Sequence, residues 1–180
     1  MFPRCSVYIA TSLDGFIART DGSIDWLMDA NANVPEGEDC GYALFMSSVD
    51  AIVMGRATFE QVLTFADWPF GPMPVVVMSL TMKSLPPTTP SSVSVTDESP
   101  TDLVQRLAAQ GIQRIYVDGG KTIQSFLAEA LIADITITCI PVILGSGLPL
   151  FGPLTHDVNL QHRSTTSYPF GFVQSTYHTL

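Results

Sequence analysis

Two segments of this 180-residue chain bring together the residue types that handle phosphate. The first is Ile52-Val-Met-Gly-Arg-Ala-Thr-Phe-Glu60, in which a strand-like run meets Gly55 and Arg56, and a helical pattern follows through Phe59, Val62 and Leu63. Backbone amides, the Thr58 hydroxyl and one guanidinium can together hold an anion at such a turn. The second is Ile115-Tyr-Val-Asp-Gly-Gly-Lys-Thr122, where a β-rich run meets paired glycines. Ile123, Phe126, Leu127, Ala130 and Leu131 then repeat at helical spacing, which predicts one buried helix face. Paired glycines remove side-chain bulk where backbone approaches something closely. The unbonded N–H groups of a helix start favour a negative charge there. Each segment alone also fits a plain strand–helix connection, with Arg56 on the surface and Thr58 as a cap. Two such turns in one parallel sheet face the same crevice, outside the carboxyl ends of the strands. A nucleotide-type cofactor is the chemistry this pairing predicts.

The elements that would position these turns are legible along the chain. Cys5–Ala10 reads as a first strand, Thr11–Gly15 as a turn, and Phe16–Ala18 as a short extended return. Asn31–Gly37 is loop-like, and Asp39 makes a plausible helix start before Tyr42 and Phe45. Asp50–Met54 and Val75–Met78 read as buried strands, separated by the proline-rich loop Pro69–Pro74. Ser99-Pro100 is a sharp helix start, with Ser as cap and Pro at the first helical position, and Gly111 ends that helix. Ile112–Val117 and Ile135–Ile140 are further strands. Val158–Thr166 and Phe172–Thr179 predict a hairpin around Tyr168-Pro-Phe-Gly171. Strands alternate with helices to about residue 140, and then strands follow alone. This predicts a single α/β domain over 1–180, with a mostly parallel sheet, flanking helices and an antiparallel C-terminal hairpin.

Composition narrows the partners. Eight basic and 17 acidic side chains give a net charge of −9, which argues against non-specific binding to nucleic acid or an anionic membrane. No apolar run reaches the ~18–20 residues of a membrane span. Cys5, Cys40 and Cys139 form neither a zinc pattern nor a disulfide framework. The N-terminus has no signal-like apolar core. A small-molecule partner, no metal and a cytoplasmic location are the expectations. His156, His162 and His178 are too dispersed for a metal site.

Met54-Gly-Arg-Ala-Thr-Phe-Glu60 resembles a segment of dihydrofolate reductases, and Ser6–Ala18 resembles their first strand and the loop after it. Asp118-Gly-Gly, with Ile135-Thr-Ile-Thr-Cys-Ile-Pro-Val-Ile-Leu-Gly-Ser-Gly-Leu-Pro-Leu-Phe151, is similar to the reductase domain of bacterial riboflavin biosynthesis. The resemblance covers most of residues 5–151. It implies a dihydrofolate reductase-like fold, in which eight mostly parallel twisted strands are flanked by helices, and an NADPH-dependent reductase acting on a C=N or C=O bond. It is distinct from the glycine-rich Rossmann fingerprint, which is absent here.

Site roles follow from the same resemblance. Ala10 and Ile17 match backbone contacts to nicotinamide. Gly55, Arg56, Ala57 and Thr58 match a first phosphate turn, and Gly119, Gly120, Lys121 and Thr122 match the diphosphate turn. Ser79 lies where the family approaches the 2′-phosphate of NADPH, and Lys83 is a possible helper. In dihydrofolate reductases the paired glycines are joined by a cis peptide. Asp39 is in register with the family's acid, and Thr138 with the threonine that hydrogen-bonds it. Asp39 equally fits a helix cap. Asp25, beside Trp26, is the rival acid, and both are candidates for substrate contact. Trp26, Phe65, Trp68 and Phe70 are candidates for stacking on a flat ring.

One departure bears on substrate. Phe70–Pro74 lacks the Arg with which dihydrofolate reductases hold the folate carboxylate, so the expected substrate is a pterin- or pyrimidine-like or ribosylamino compound rather than folate. No zinc-deaminase motif accompanies the domain. A non-catalytic nucleotide-binding or regulatory homodimer on the same scaffold is the alternative. A homodimer paired through the C-terminal strands is expected by analogy.

Overall fold

The computed structural model describes residues 2–180, and alternation of strand and helix organises it as the sequence pattern predicts. In chain order the elements are β1 (Arg4–Ser12), β2 (Phe16–Ala18), α1 (Asp25–Asn31), α2 (Tyr42–Met46), β3 (Ala51–Gly55), α3 (Arg56–Val62), β4 (Val75–Met78) and β5 (Val93–Thr96). There follow α4 (Pro100–Ala109), β6 (Arg114–Asp118), α5 (Gly120–Ala128), β7 (Ile132–Ile140), β8 (Leu148–Pro149), β9 (Leu160–Ser167) and β10 (Val173–Thr179).

Eight strands form one sheet in the order β5-β4-β3-β6-β1-β7-β10-β9. Strands β5 through β7 in that order run parallel, whereas β10 pairs antiparallel with both β7 and β9. The central strands are apolar on both faces, as a doubly covered parallel sheet requires. On one face Leu103, Leu107, Ile123 and Phe126 of α4 and α5 pack over Val7, Val53 and Val117. On the other, Phe45 of α2 and Phe59 of α3 pack over Ile52, Met54 and Val77. A smaller cluster of Trp26, Ile140 and Phe172 seats α1 near the C-terminal strands. No helix among the described residues is long and apolar enough to cross a membrane.

Helix ends show which local signals were readable. In α4, Ser99 Oγ accepts from the Asp102 amide at 3.2 Å. Gly111, at φ +85, closes the other end, and Ile112 N donates back to Leu107 O at 3.2 Å. That is the glycine-terminated motif expected. Helix α5 ends with the same pair of bonds, Leu131 N to Phe126 O and Ala130 N to Leu127 O. There the left-handed position is held by Ala130, at φ +53. The apolar repeat predicts a helix running through Leu131, but the helix stops at Ala128 and Ala130 is exposed. No glycine marks this stop, so the periodicity overran it. Helix α1 and the two-residue β8 likewise have no counterpart in the sequence pattern.

Candidate functional site

The β3–α3 and β6–α5 connections leave adjacent strands at the same edge and turn to opposite faces of the sheet. This divergence opens a crevice between them. The two turns also touch. A side chain at Gly55 would meet the Thr122 hydroxyl at 2.9 Å, and one at Gly119 would collide with the Thr58 hydroxyl. A side chain at Gly120 would meet Ile17 Cδ1 at 2.8 Å. Gly119 also has φ +87, which disfavours any other residue. No peptide among the described residues is cis, so the cis link between paired glycines that the resemblance implied is not formed here.

The turns open into a cleft of ≈ 2260 Å³, well above the ~300–1,000 Å³ of a pocket for one small ligand. Ala10, Ile17, Gly55, Arg56, Ala57, Thr58, Ser79, Gly119, Gly120, Lys121 and Thr122 all line it. Arg56 Nε bonds Glu60 at 2.7 Å, and its Nη1 bonds the Thr81 hydroxyl at 3.1 Å. Ser79 Oγ accepts from the Met82 amide at 3.0 Å, shaping the loop after β4 beside Arg56. Lys83 donates to the Leu80 carbonyl at 3.3 Å and does not line the cleft. The donor set is therefore two helix starts, one guanidinium, one ammonium and several hydroxyls. That set fits a dinucleotide carrying an extra phosphate.

A second part of the cleft lies beside it. Strand pairing puts Tyr8 and Ala10 of β1 on the same face as Tyr116, Asp118 and Thr138. Residues 24–42 form the opposite wall, through Leu27, Val34, Glu38, Asp39, Cys40 and Tyr42. Asp39 thus reaches the cleft, but its carboxylate is committed elsewhere. Oδ1 accepts from the Gly41 amide and Oδ2 from the Ala43 amide, both at 2.8 Å. These bonds hold its carboxyl below the usual range, so at neutral pH it has no proton to give. The capping alternative describes Asp39. Thr138 lines the same region, but its hydroxyl accepts from Gln174 Nε2 at 2.9 Å instead of bonding the aspartate.

Asp25 and Trp26 lie outside the cleft lining. Asp25 is exposed and pairs with Arg19 at 2.6 Å, while Trp26 is buried among Ile140 and Phe172. An amphipathic helix start explains both positions better than a substrate wall. Phe65 and Phe70 do line the cleft, whereas Trp68 packs edge-on against Phe59 and Phe70.

Two residues that the sequence reading did not single out stand in or behind the cleft wall. Asp118 ends β6 within the cleft, next to Tyr116 and without an ion pair among the described residues. Burial pushes its carboxyl up to about 6, against the opposing pull of the Gly119 amide, which donates to Oδ1 at 2.8 Å. A carboxylate at the end of an apolar strand, just before paired glycines, was the available signal. Gln174 is the other. Its Nε2 lies 2.9 Å from the Tyr8 hydroxyl and 3.0 Å from the Cys40 carbonyl, and Tyr8 donates to that same carbonyl. This brace holds Cys40 at φ +54, an unfavourable value for a residue with a side chain. No local pattern marks a glutamine in an alternating strand.

Comparison with known proteins bears on the fold and the family. YwjB, an uncharacterized protein of Bacillus subtilis (strain 168), is 36% identical over 165 residues, covering 90% of each chain. A crystal structure from Shewanella sp. PV-4, assigned provisionally as a riboflavin biosynthesis protein, is 39% identical with a TM-score of 0.92. It matches 98% of this chain and 99% of that one. A diaminohydroxyphosphoribosylaminopyrimidine deaminase/5-amino-6-(5-phosphoribosylamino)uracil reductase of Thermotoga maritima shares the fold at 14% identity and a TM-score of 0.72. The match spans 99% of this chain and 57% of that one. The profile of the RibD C-terminal domain matches residues 3–173. With its eight-stranded, mostly parallel sheet and antiparallel C-terminal pair, this chain belongs to the RibD C-terminal domain family, the dihydrofolate reductase-like reductase domains of riboflavin biosynthesis.

Proposed function

We propose that the protein is an NADPH-dependent reductase acting on a C=N or C=O bond of a small heterocyclic substrate. The observation that carries this reading is the mutual contact of the two glycine turns, Gly119 against Thr58 and Gly55 against Thr122, at the edge of one cleft. Amides at the starts of α3 and α5, with Arg56 and Lys121, are suited to the phosphates. Ala10 and Ile17, which line the same cleft, are suited to the nicotinamide. NADPH, when bound, supplies the hydride. Asp118 replaces Asp39 as the proposed proton donor, because it retains a proton nearer neutral pH and shares a sheet face with Tyr8 and Thr138. A protonated carboxyl there can deliver to a substrate nitrogen or oxygen as charge develops on it. The wholly exposed β9, including Leu160, supports a homodimer paired through the C-terminal hairpin.

Titration calorimetry tests the cofactor assignment. NADPH is expected to bind more tightly than NADH, and Arg56→Ala is expected to cost about tenfold in NADPH affinity while barely changing that for NADH. No heat of binding at millimolar NADPH would end the reductase reading.

A further inference from the structure

Building on the reductase reading of this cleft, we infer that its substrate half selects an unphosphorylated, neutral or cationic amino-heterocycle and disfavours sugar phosphates. Every cation of the chain can be located. All eight Lys and Arg residues are among the described ones, and only Arg56 and Lys121 line the cleft. Both belong to the glycine turns that suit the dinucleotide. Arg4 and Arg114 pair with Asp134 at the far end of the sheet, at 2.5 and 3.3 Å. Arg19 pairs with Asp25 and Arg106 with Glu98, both outside the substrate half. Arg163 bonds Gln161 on β9, and Lys83 bonds the Leu80 carbonyl. None of the three histidines lines the cleft.

Against this, the substrate half presents two carboxylates, Glu38 and Asp39, and the Asp118 carboxyl, together with the rings of Tyr8, Tyr42 and Phe172. Tyr42 stands with its ring centroid 5.9 Å from that of Tyr8. A ribityl or ribosyl phosphate needs a cation or several converging donors. Here it would instead meet like charges along the cleft wall, a repulsion that salt reduces because Glu38 and Asp39 are exposed. Carboxylates beside aromatic faces are the complement of amino groups and ring cations.

Calorimetry on the NADPH-saturated full chain tests this with three probes. These are 5-amino-6-(5-phosphoribosylamino)uracil, the same compound lacking its phosphate, and 2,4-diaminopyrimidine. Removing the phosphate is expected to tighten binding about tenfold, and Glu38→Gln to weaken 2,4-diaminopyrimidine about threefold. Equal or tighter binding of the phosphate ester would overturn the inference, as would failure of both phosphate-free probes to bind. Should NADPH not bind while the order among the probes holds, the reductase reading falls and the charge selectivity stands.

Discussion

Two aspartates on one face of the sheet, Asp118 and Asp134, sit at its opposite ends and are treated in opposite ways. Asp134, near the start of β7, is almost fully buried and meets two guanidinium groups. Arg4 lies 2.5 Å and Arg114 3.3 Å away, and the Ser6 hydroxyl donates at 2.9 Å. Arg114 itself lies over the Phe45 ring and bonds Ser48. Asp118, at the end of β6, has no cationic partner and receives one amide hydrogen bond. The contrast separates two uses of a carboxylate on this sheet face. Surrounded by donors it is a fixed anion that ties strands together, and starved of them it is a group that can pick up and release a proton.

The comparison can be broken most forcefully at Asp134. Asp134→Ala leaves two arginines facing an emptied polar site, with an expected loss of about 3 kcal/mol. Thermal unfolding should fall by about 6–12 °C; a shift within about 2 °C would show that this end is not an anchor. The next largest effect is expected at the other end. Asp118→Asn should lower reductase turnover about a hundredfold with NADPH affinity nearly intact. The wild-type rate should decline as pH rises through about 6, where the carboxyl loses its proton. Stability should move the other way. A folded pKa raised from 3.8 to about 6 means that ionisation opposes folding. The penalty is absent below the lower value, grows between the two, and is complete above the higher. Asp118→Asn should therefore melt higher than wild type at pH 7.5 and equally at pH 4. Identical differences at both pH values would remove the proton from the argument. The smallest effect is expected for Asp39→Asn, with turnover within about twofold of wild type and a slight fall in melting temperature from a weaker cap. A collapse of turnover in that variant would restore Asp39 as the acid.

Much of this architecture was readable because its signals are local. Ser99-Pro100 and Gly111 bracket α4 through cap chemistry, and Val75–Met78 is continuous in its apolarity. The two glycine turns were readable for the same reason, since glycine and its neighbours in the chain carry the constraint. The setting of Asp118 was not, because it is assembled from distant segments. Asp39 and Asp118 are both carboxylates after an interpretable pattern. The amides of Gly41 and Ala43 that hold the first are local and match the cap reading that the sequence offered beside the acid, while only the fold reveals that strands β3 and β1 flank the second. Trp26 failed for a related reason. Its neighbours Ile140 and Phe172 come from the far end of the chain, and they make it part of a packed cluster. Gln174 joins Tyr8, Cys40 and Thr138 across as many as 166 positions, a relation no windowed pattern carries.

The reciprocal seating of Thr58 on Gly119 and Thr122 on Gly55 has an evolutionary corollary. Each threonine fills the hollow created by the other turn's missing side chain, so neither turn can be redesigned alone. Enlarging position 55 demands shrinking position 122, whereas at position 119 the left-handed backbone adds a strain that shrinking position 58 does not relieve. Descendants of this scaffold can exchange wall residues such as Phe65 or Leu27 one at a time, but must alter 55 and 122 as a couple and keep glycine at 119.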